Sequence, residues 1–324
     1  MLVKKKAGVV IPCYKVSAHI CDLIREISDE VDFIFVVDDC CPEKSGSLVE
    51  NTFSDPRIRV IYHPTNEGVG GAVLTGYQAA IKAGANVIVK LDGDGQMDPT
   101  LIPEFIAPIR HGRADYTKGN RFFGVETVKQ MPFIRLIGNV GLSFLTKLSS
   151  GYWNLFDPTN GFTAISAKVV DQLPVNKISK RYFFESDMLF RLNILRAVII
   201  DIPMTAKYDA EKSNLKVFSE FPQFLFKNLL NLSKRILYNY FIRNFNYASL
   251  QLLFSIPLLG FGIVFGAISW IDPGQPGALA SAGTVMLAAL PIIIGFQMLM
   301  GFFNYDMSNI PSLPLQERLR GKPN

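Results

Sequence analysis

From residue 7 to about 120, short β-branched runs alternate with amphipathic stretches. Gly8–Ile11, Phe33–Val37, Ile58–Tyr62 and Val87–Leu91 read as strands, with helices between them. That alternation predicts an α/β domain, a mostly parallel sheet with helices on both faces. Ligands of such sheets gather beyond the carboxyl ends of the strands. The polar residues that follow each run fall there: Pro12-Cys-Tyr14, Asp38-Asp39, His63 to Gly71, and Asp92-Gly-Asp-Gly-Gln96. One crevice should collect all four.

Past residue 120 the pattern changes. Arg135–Leu148 and Tyr182–Leu195 carry the helical period, a strand and helix follow Asp157-Pro-Thr-Asn-Gly-Phe162, and Val198–Ile202 is a closing strand. Tyr208–Leu215 is polar and reads as a loop. Residues 217–247 mix Phe, Leu and Tyr with Lys227, Lys234, Arg235 and Arg243. This predicts amphipathic helices lying in a membrane interface, basic groups toward lipid head groups; a helix packed on the preceding domain is the alternative. Ala248–Ile271 and Gly277–Phe303 are then two uncharged apolar runs. At about 1.5 Å per residue, each crosses a hydrocarbon core about 30 Å thick. The composition agrees: 49% of the 324 residues are apolar.

Only Asp272-Pro-Gly-Gln-Pro276 separates the spans, without Lys or Arg, whereas Arg235 and Arg243 precede the first and Arg318, Arg320 and Lys322 follow the second. The positive-inside rule predicts a multi-pass protein of the cell (inner) membrane with both termini cytoplasmic. The expected organisation is a cytoplasmic domain over 1–216, juxtamembrane helices over 217–247, a membrane hairpin over 248–306 and a cytoplasmic tail over 307–324. The apolar run after Met1–Lys6 ends at Pro12, too early for a signal peptide. Cys13, Cys21, Cys40 and Cys41 lack a Cys-x-x-Cys spacing, which indicates neither a disulfide framework nor a zinc site. A net charge of +5 without a long basic run argues against nucleic acid and for anionic lipid. Paired spans with a short loop also offer surfaces for a homo-oligomer.

Asp92-x-Asp94-x-Gln96 directly after an apolar strand sets oxygen ligands on one short loop, as a magnesium or manganese ion holding substrate phosphates needs. An EF-hand beginning at Asp92 is excluded, because its sixth and twelfth positions are Met97 and Pro103 instead of Gly and Glu. Asn66-Glu-Gly-Val-Gly-Gly-Ala72 follows the third strand, not the first, and lacks the third glycine of a dinucleotide fingerprint. A nicotinamide cofactor is therefore rejected. The glycines at this helix start, Gly71 among them, serve either close approach of backbone to substrate or a tight turn.

In order and spacing, Val10-Ile-Pro-Cys-Tyr14, Val36-Val-Asp-Asp39, Asn66 to Ala72, Leu91-Asp-Gly-Asp-Gly-Gln96, Gly119-Asn-Arg121, Asp157 to Phe162 and the paired spans resemble glycosyltransferase family 2, most closely its polyprenyl-phosphate branch. The resemblance implies a GT-A-type, Rossmann-like fold. It implies Pro12, Tyr14, Asp38 and Asp39 around the nucleotide, Gly71 and Gly93 along the donor, and Asp92, Asp94 and Gln96 around metal and diphosphate. Two departures stand out: Asp38-Asp-Cys-Cys-Pro42 replaces the usual Asp-Asp, one residue, Ser, and Ser213-Asn-Leu215 replaces Ser-Lys-Leu.

The expected reaction is inverting transfer of a hexose, first choice UDP-glucose and second GDP-mannose, to polyprenyl phosphate. Such an acceptor is already anionic near neutral pH, so positioning and charge neutralisation should dominate. Arg121, Arg135 and Lys207 or Lys212 are expected to hold the lipid phosphate. Asp157 belongs to the reacting centre, orienting the sugar or acting as base. Glu185 and Asp187 either cap a helix that floors the acceptor pocket or are structural. A processive polysaccharide synthase would need more spans and a Gln-x-x-Arg-Trp motif, absent around Trp153 and Trp270. A nucleotide-sugar sensor would not need Asp92, Asp94 and Asp157 intact.

Overall fold

The computed structural model describes residues 5–123, 133–204, 217–271 and 280–319, with main chain only at 133–137, 139 and 217–220. The chain forms two compact units, Met1–Leu232 with Pro311–Asn324, and Ser233–Ile310.

The first unit is built on a seven-stranded sheet: β1 (Ala7–Cys13), β2 (Phe33–Asp38), β3 (Ile58–Tyr62), β4 (Val87–Lys90), β5 (Tyr116–Asn120), β6 (Thr163–Ser166) and β7 (Ile199–Pro203), in the order β3-β2-β1-β4-β6-β5-β7. The pairings β1–β2, β1–β4, β2–β3 and β5–β7 are parallel, and β6 runs antiparallel to β4 and β5. The mostly parallel α/β sheet expected from the sequence is present, with one strand reversed. That reversal has a spatial consequence. The start of an antiparallel strand lies at the edge where its neighbours end, so the segment leading into β6 meets the ends of β4 and β5. In register, Thr163 sits opposite both Lys90 and Lys118, and Lys118 sits opposite Asp201.

Strand β5 has no signature in the sequence, because Tyr-Thr-Lys-Gly-Asn carries neither an apolar run nor a clean alternation. Its five residues are nonetheless all buried.

Helices α1 (Ile20–Arg25), α2 (Ser45–Thr52), α3 (Val69–Lys82), α4 (Ile102–Arg110), α5 (Phe133–Ser150), α6 (Ala167–Val170) and α7 (Phe184–Ile194) accompany the sheet. A core of Val9, Ile11, Ile34, Val36, Val87 and Val89 is completed by Phe105 of α4 and Phe162. These two rings stack at 3.9 Å, which fixes the chain just before β6. Burying a side chain of this size is worth about 1.5–3 kcal/mol.

Helix α8 (Val217–Ile236) ends the first unit and begins the second. Within the first unit one of its faces is buried through Phe224, Asn228 and Asn231, with Ser149 Oγ donating to Asn228 Oδ1 at 2.6 Å. Phe226, Leu229 and Leu230 stay exposed on it.

In the second unit, a π-helical turn (Leu237–Arg243) leads to α9 (Tyr247–Ile271) and α10 (Ala282–Ser308), two helices long and apolar enough to cross a membrane by length and composition. Helix α10 continues past the expected end at Phe303 and takes in Asp306. A carboxylate is accommodated there because Arg235 donates to both its oxygens, at 2.6 and 3.0 Å, and Tyr240 Oη donates at 2.5 Å.

The chain then returns. Its segment from Pro311 belongs to the first unit and includes α11 (Leu315–Arg318). Asp115, fully buried, accepts main-chain N–H groups from Val198 (2.8 Å), Leu315 (2.6 Å) and Gln316 (2.8 Å). Gln316 Nε2 donates to the carbonyls of Ala114 (2.5 Å) and Ile109 (3.1 Å). What the sequence suggests is a tail is part of the domain. Asp115→Ala should lower stability by roughly 3 kcal/mol, since three buried N–H groups lose their acceptor; thermal unfolding and faster proteolysis between residues 311 and 319 would register it.

Candidate active site

One side of the candidate site is assembled at the ends of β1 and β2. Pro12 is buried on β1, and Tyr14 just beyond is 46% exposed. Asp38 accepts from the N–H groups of Cys41 (2.7 Å) and Gly46 (2.8 Å), so its oxygens shape the loop after β2. Asp39 accepts from the N–H groups of Glu67 (2.9 Å) and Gly68 (2.8 Å), and pairs with His63 Nδ1 at 2.7 Å. These two carboxylates build the wall of the cleft by tying separate loops together.

Gly68, at φ +87°, starts α3 in a conformation that favours glycine. The N–H groups of Gly70 and Gly71 donate to Lys180 O at 2.8 and 3.3 Å. A Cβ on Gly71 would meet Glu67 Cβ at 2.6 Å. The glycines here permit close packing of chain on chain, a role beside the two open from sequence.

The Asp92–Gln96 loop continues this wall, since a Cβ on Gly93 would lie 3.4 Å from Pro12 O. Its two carboxylates differ. Asp92 Oδ1 is 2.7 Å from Lys90 Nζ, a fully buried ammonium that also contacts Glu185 Oε1 at 3.2 Å and donates to Gly161 O at 3.1 Å. Asp94, half-buried, accepts from Gln96 N at 3.0 Å. Among the described residues, no three His, Cys, Asp or Glu side chains converge as a cation cage. The donor set is oxygen-only but short: Asp94, the Gln96 amide, and Asp92 with one oxygen neutralised. It fits a hard cation that fills its remaining positions with substrate phosphates and water.

Opposite stands the turn Asp157–Gly161, delivered by the reversed strand β6. Asp157, 2% exposed, is gripped by Arg121 through Nε–Oδ2 at 2.7 Å, Nη2–Oδ1 at 2.8 Å and the Arg121 N–H at 3.1 Å. Asn160 Nδ2 adds a bond at 3.2 Å. Burial pushes the Asp157 carboxyl up, but the guanidinium outweighs it and holds the pKa below the usual carboxylate range. From beneath, Lys118 Nζ donates to the carbonyls of Asp157 and Asn160. A Cβ on Gly161 would collide with Asp92 Oδ2 and with Lys90 Nζ, so the position has no room for one. The Asp92–Gln96 loop and the turn are thereby closely packed.

Glu185 joins this network through Lys90. Asp187 does not: buried, it accepts from Ser179 N (2.9 Å), Arg191 Nε (3.0 Å) and Asn231 Nδ2 (3.2 Å), which makes it a tie between α7, α8 and the preceding loop. Lys207, Lys212 and the Arg135 side chain lie outside the described residues. Sequence reasoning missed Lys90 and Lys118. The signal was there: each is a lone lysine at the end of, or within, a segment that must be buried if it is a strand.

Gly161→Ala should reduce turnover about 100-fold, the scale of an ångström misplacement at a reacting centre, with circular dichroism unchanged. Arg121→Ala leaves the Asp157 charge buried and unpaired, an expected loss of about 2–3 kcal/mol, below the fully buried case because Arg121 is partly exposed. A depressed carboxylate pKa contributes stability above the unfolded value and loses it as pH falls through the folded one. Denaturant titrations should therefore show the gap between wild type and Arg121→Ala closing as pH drops below about 4.

The family profile described as Glycosyl transferase family 2 matches residues 8–173, just over half of the chain and inclusive of both loops. The chain is 29% identical over 213 residues to a UDP-N-acetylglucosamine--dolichyl-phosphate N-acetylglucosaminyltransferase of Methanococcus voltae, covering 61% of this chain and 84% of that protein. It is 30% identical over 184 residues to an undecaprenyl-phosphate mannosyltransferase of Micrococcus luteus, covering 56% and 74%. Glucosyl-3-phosphoglycerate synthase from Mycobacterium tuberculosis, solved with Mn2+, UDP and glucosyl-3-phosphoglycerate, shares the fold with a TM-score of 0.54 at 18% identity, over 72% of this chain and 80% of that one. With its GT-A-type sheet and the two loops that meet at Gly161, the chain belongs to glycosyl transferase family 2 and is a glycosyltransferase.

Proposed function

We propose that the protein transfers a hexose from a nucleotide diphosphate sugar to polyprenyl phosphate, with inversion at the anomeric carbon. The observation that supports this reading is the close packing of the Asp92–Gln96 loop on the Asp157 turn at Gly161, which sets an Asp-x-Asp-x-Gln loop beside a buried carboxylate–guanidinium pair. An oxygen of the acceptor phosphate attacks the anomeric carbon as the bond from that carbon to the donor diphosphate breaks. The nucleotide diphosphate leaves with the electron pair. Asp157, held ionised by Arg121, orients the sugar; with its charge already neutralised it is a weak base, and an acceptor already ionised needs none. Arg121, partly exposed, is a ligand of the acceptor phosphate in this reading. Asp92, Asp94 and Gln96 would hold a magnesium or manganese ion with the donor diphosphate, and such an ion would offset the charge that develops on the leaving group. Arg135 and Lys207 or Lys212 are further phosphate ligands in this reading.

The acceptor is supported by the relatives, whose names include dolichyl phosphate and undecaprenyl phosphate. UDP-glucose, the first choice from sequence, finds no support there. Mannose and N-acetylglucosamine are the sugars those names carry, and GDP-mannose fits equally well as donor. A site at the bilayer is supported by α9 and α10, by the exposed Phe226, Leu229 and Leu230, and by the way the chain leaves the first unit at Leu232 and re-enters it at Pro311. One folded unit cannot stand on both sides of a membrane, so the two flanks of the hairpin lie on the same side, the cytoplasmic one by their basic residues.

Purified protein offered radiolabelled UDP-glucose, GDP-mannose and UDP-N-acetylglucosamine with polyprenyl phosphate should label the lipid from one donor, and chelation of divalent cations should stop it. No lipid product from any donor would refute the reading. Asp94→Ala should abolish the metal-stimulated rate while donor-independent stability stays the same; a full rate would remove Asp94 as a metal ligand.

A further inference from the structure

Lys118 lies in β5, 1% exposed, where an ammonium costs several kcal/mol unless anions and carbonyls surround it. Its two acceptors, the carbonyls of Asp157 and Asn160, belong to a single turn, the one whose first side chain is held by Arg121. On β7 the residue in register is Asp201, which accepts from Asn120 Nδ2 at 3.0 Å and from the N–H of Phe156, the residue before the turn, at 3.2 Å. The charged groups that face Lys118 are Asp157 of the turn, Asp201 of β7, Arg121 after β5 and Glu185 of α7. The same turn closes on Lys118 from above through Asn160, whose side chain bonds Asp157 and whose Oδ1 accepts from Phe162 N at 2.9 Å.

On the reading of the site as a sugar transferase, we infer that Lys118 is a positioning residue: its ammonium fixes the Asp157–Asn160 turn from beneath, and transfer requires it protonated. A neutral amine keeps two N–H groups but loses the charge that strengthens its bonds to the two carbonyls. Burial lowers the Lys118 pKa, against Asp157 and Asp201, which raise it, to about 8. Turnover should then fall as pH rises through about 8, because the charged form is lost.

The test uses the full-length enzyme as wild type, Lys118→Met and Asp201→Asn. Hydrogen exchange of the peptide covering 156–162 in Lys118→Met should be faster than in wild type, with kcat down about tenfold or more and KM for the donor within about twofold. Asp201→Asn, nearly isosteric, removes an anion that retains the proton, so the alkaline limb of kcat should move to lower pH by at least about half a unit. Wild-type exchange across the turn in Lys118→Met, or an alkaline limb that stays in place in Asp201→Asn, would overturn the inference. If wild type moves no sugar to polyprenyl phosphate, the functional reading fails by itself, and the exchange measurement still decides on Lys118. If Lys118→Met does not fold, the limb in Asp201→Asn decides.

Discussion

Two ammonium groups inside a β-sheet organise this molecule. Neither Lys90 nor Lys118 reaches water, so each must find its hydrogen-bond acceptors and counter-charge within the fold. They stand on β4 and β5, on either side of Thr163, the first residue of the reversed strand between them. Both reach up to the same five residues, Asp157 to Gly161. The turn is held by three main-chain carbonyls from below and by Arg121 at its edge, so its conformation is set by desolvated charge. This is a costly arrangement by the standards of stability alone, since apolar residues of the same volume would pack as well. In the proposed reaction, its return would be preorganisation of groups that meet charge developing during transfer.

The elements of the candidate site are coupled through the same atoms. Lys90 touches Asp92 of the Asp92–Gln96 loop, Glu185 of α7 and Gly161 of the turn. A shift in any of these changes the electrostatic surroundings of the other two. Gly161 is the point of closest approach, and only the absence of a side chain permits it. The carboxylates Asp38 and Asp39 work likewise at the ends of β1 and β2, spending their lone pairs on main-chain N–H groups of the following loops, Asp39 on residues 28 and 29 positions away. In this site most acidic residues act first by fixing backbone.

The second unit follows the same rule at lower density. Asp306 ends an otherwise uncharged apolar helix and is acceptable only because Arg235 and Tyr240 satisfy both its oxygens. The return of the chain to the first unit through Asp115 makes the hairpin an insertion between two parts of one domain. Both of its ends are thereby tethered to the same folded unit.

The sheet of the first unit, the apolar spans and the Asp92–Gln96 loop were legible in the sequence because each rests on local pattern: β-branched runs, uninterrupted apolar length, and carboxylates following a strand directly. Asp157 and Arg121 could be named from their motifs, though not as partners, since 36 residues separate them. Strand β5, the direction of β6, the docking of residues 311–319 and the roles of Lys90 and Lys118 depended on tertiary structure. A lysine in a short polar segment looks solvated until neighbouring strands enclose it. An aspartate such as Asp115 or Asp187 looks like a surface or pocket residue until long-range N–H groups claim its oxygens. Local periodicity determines which segments are buried; which buried charge faces which partner is decided only when strands far apart in sequence come into register.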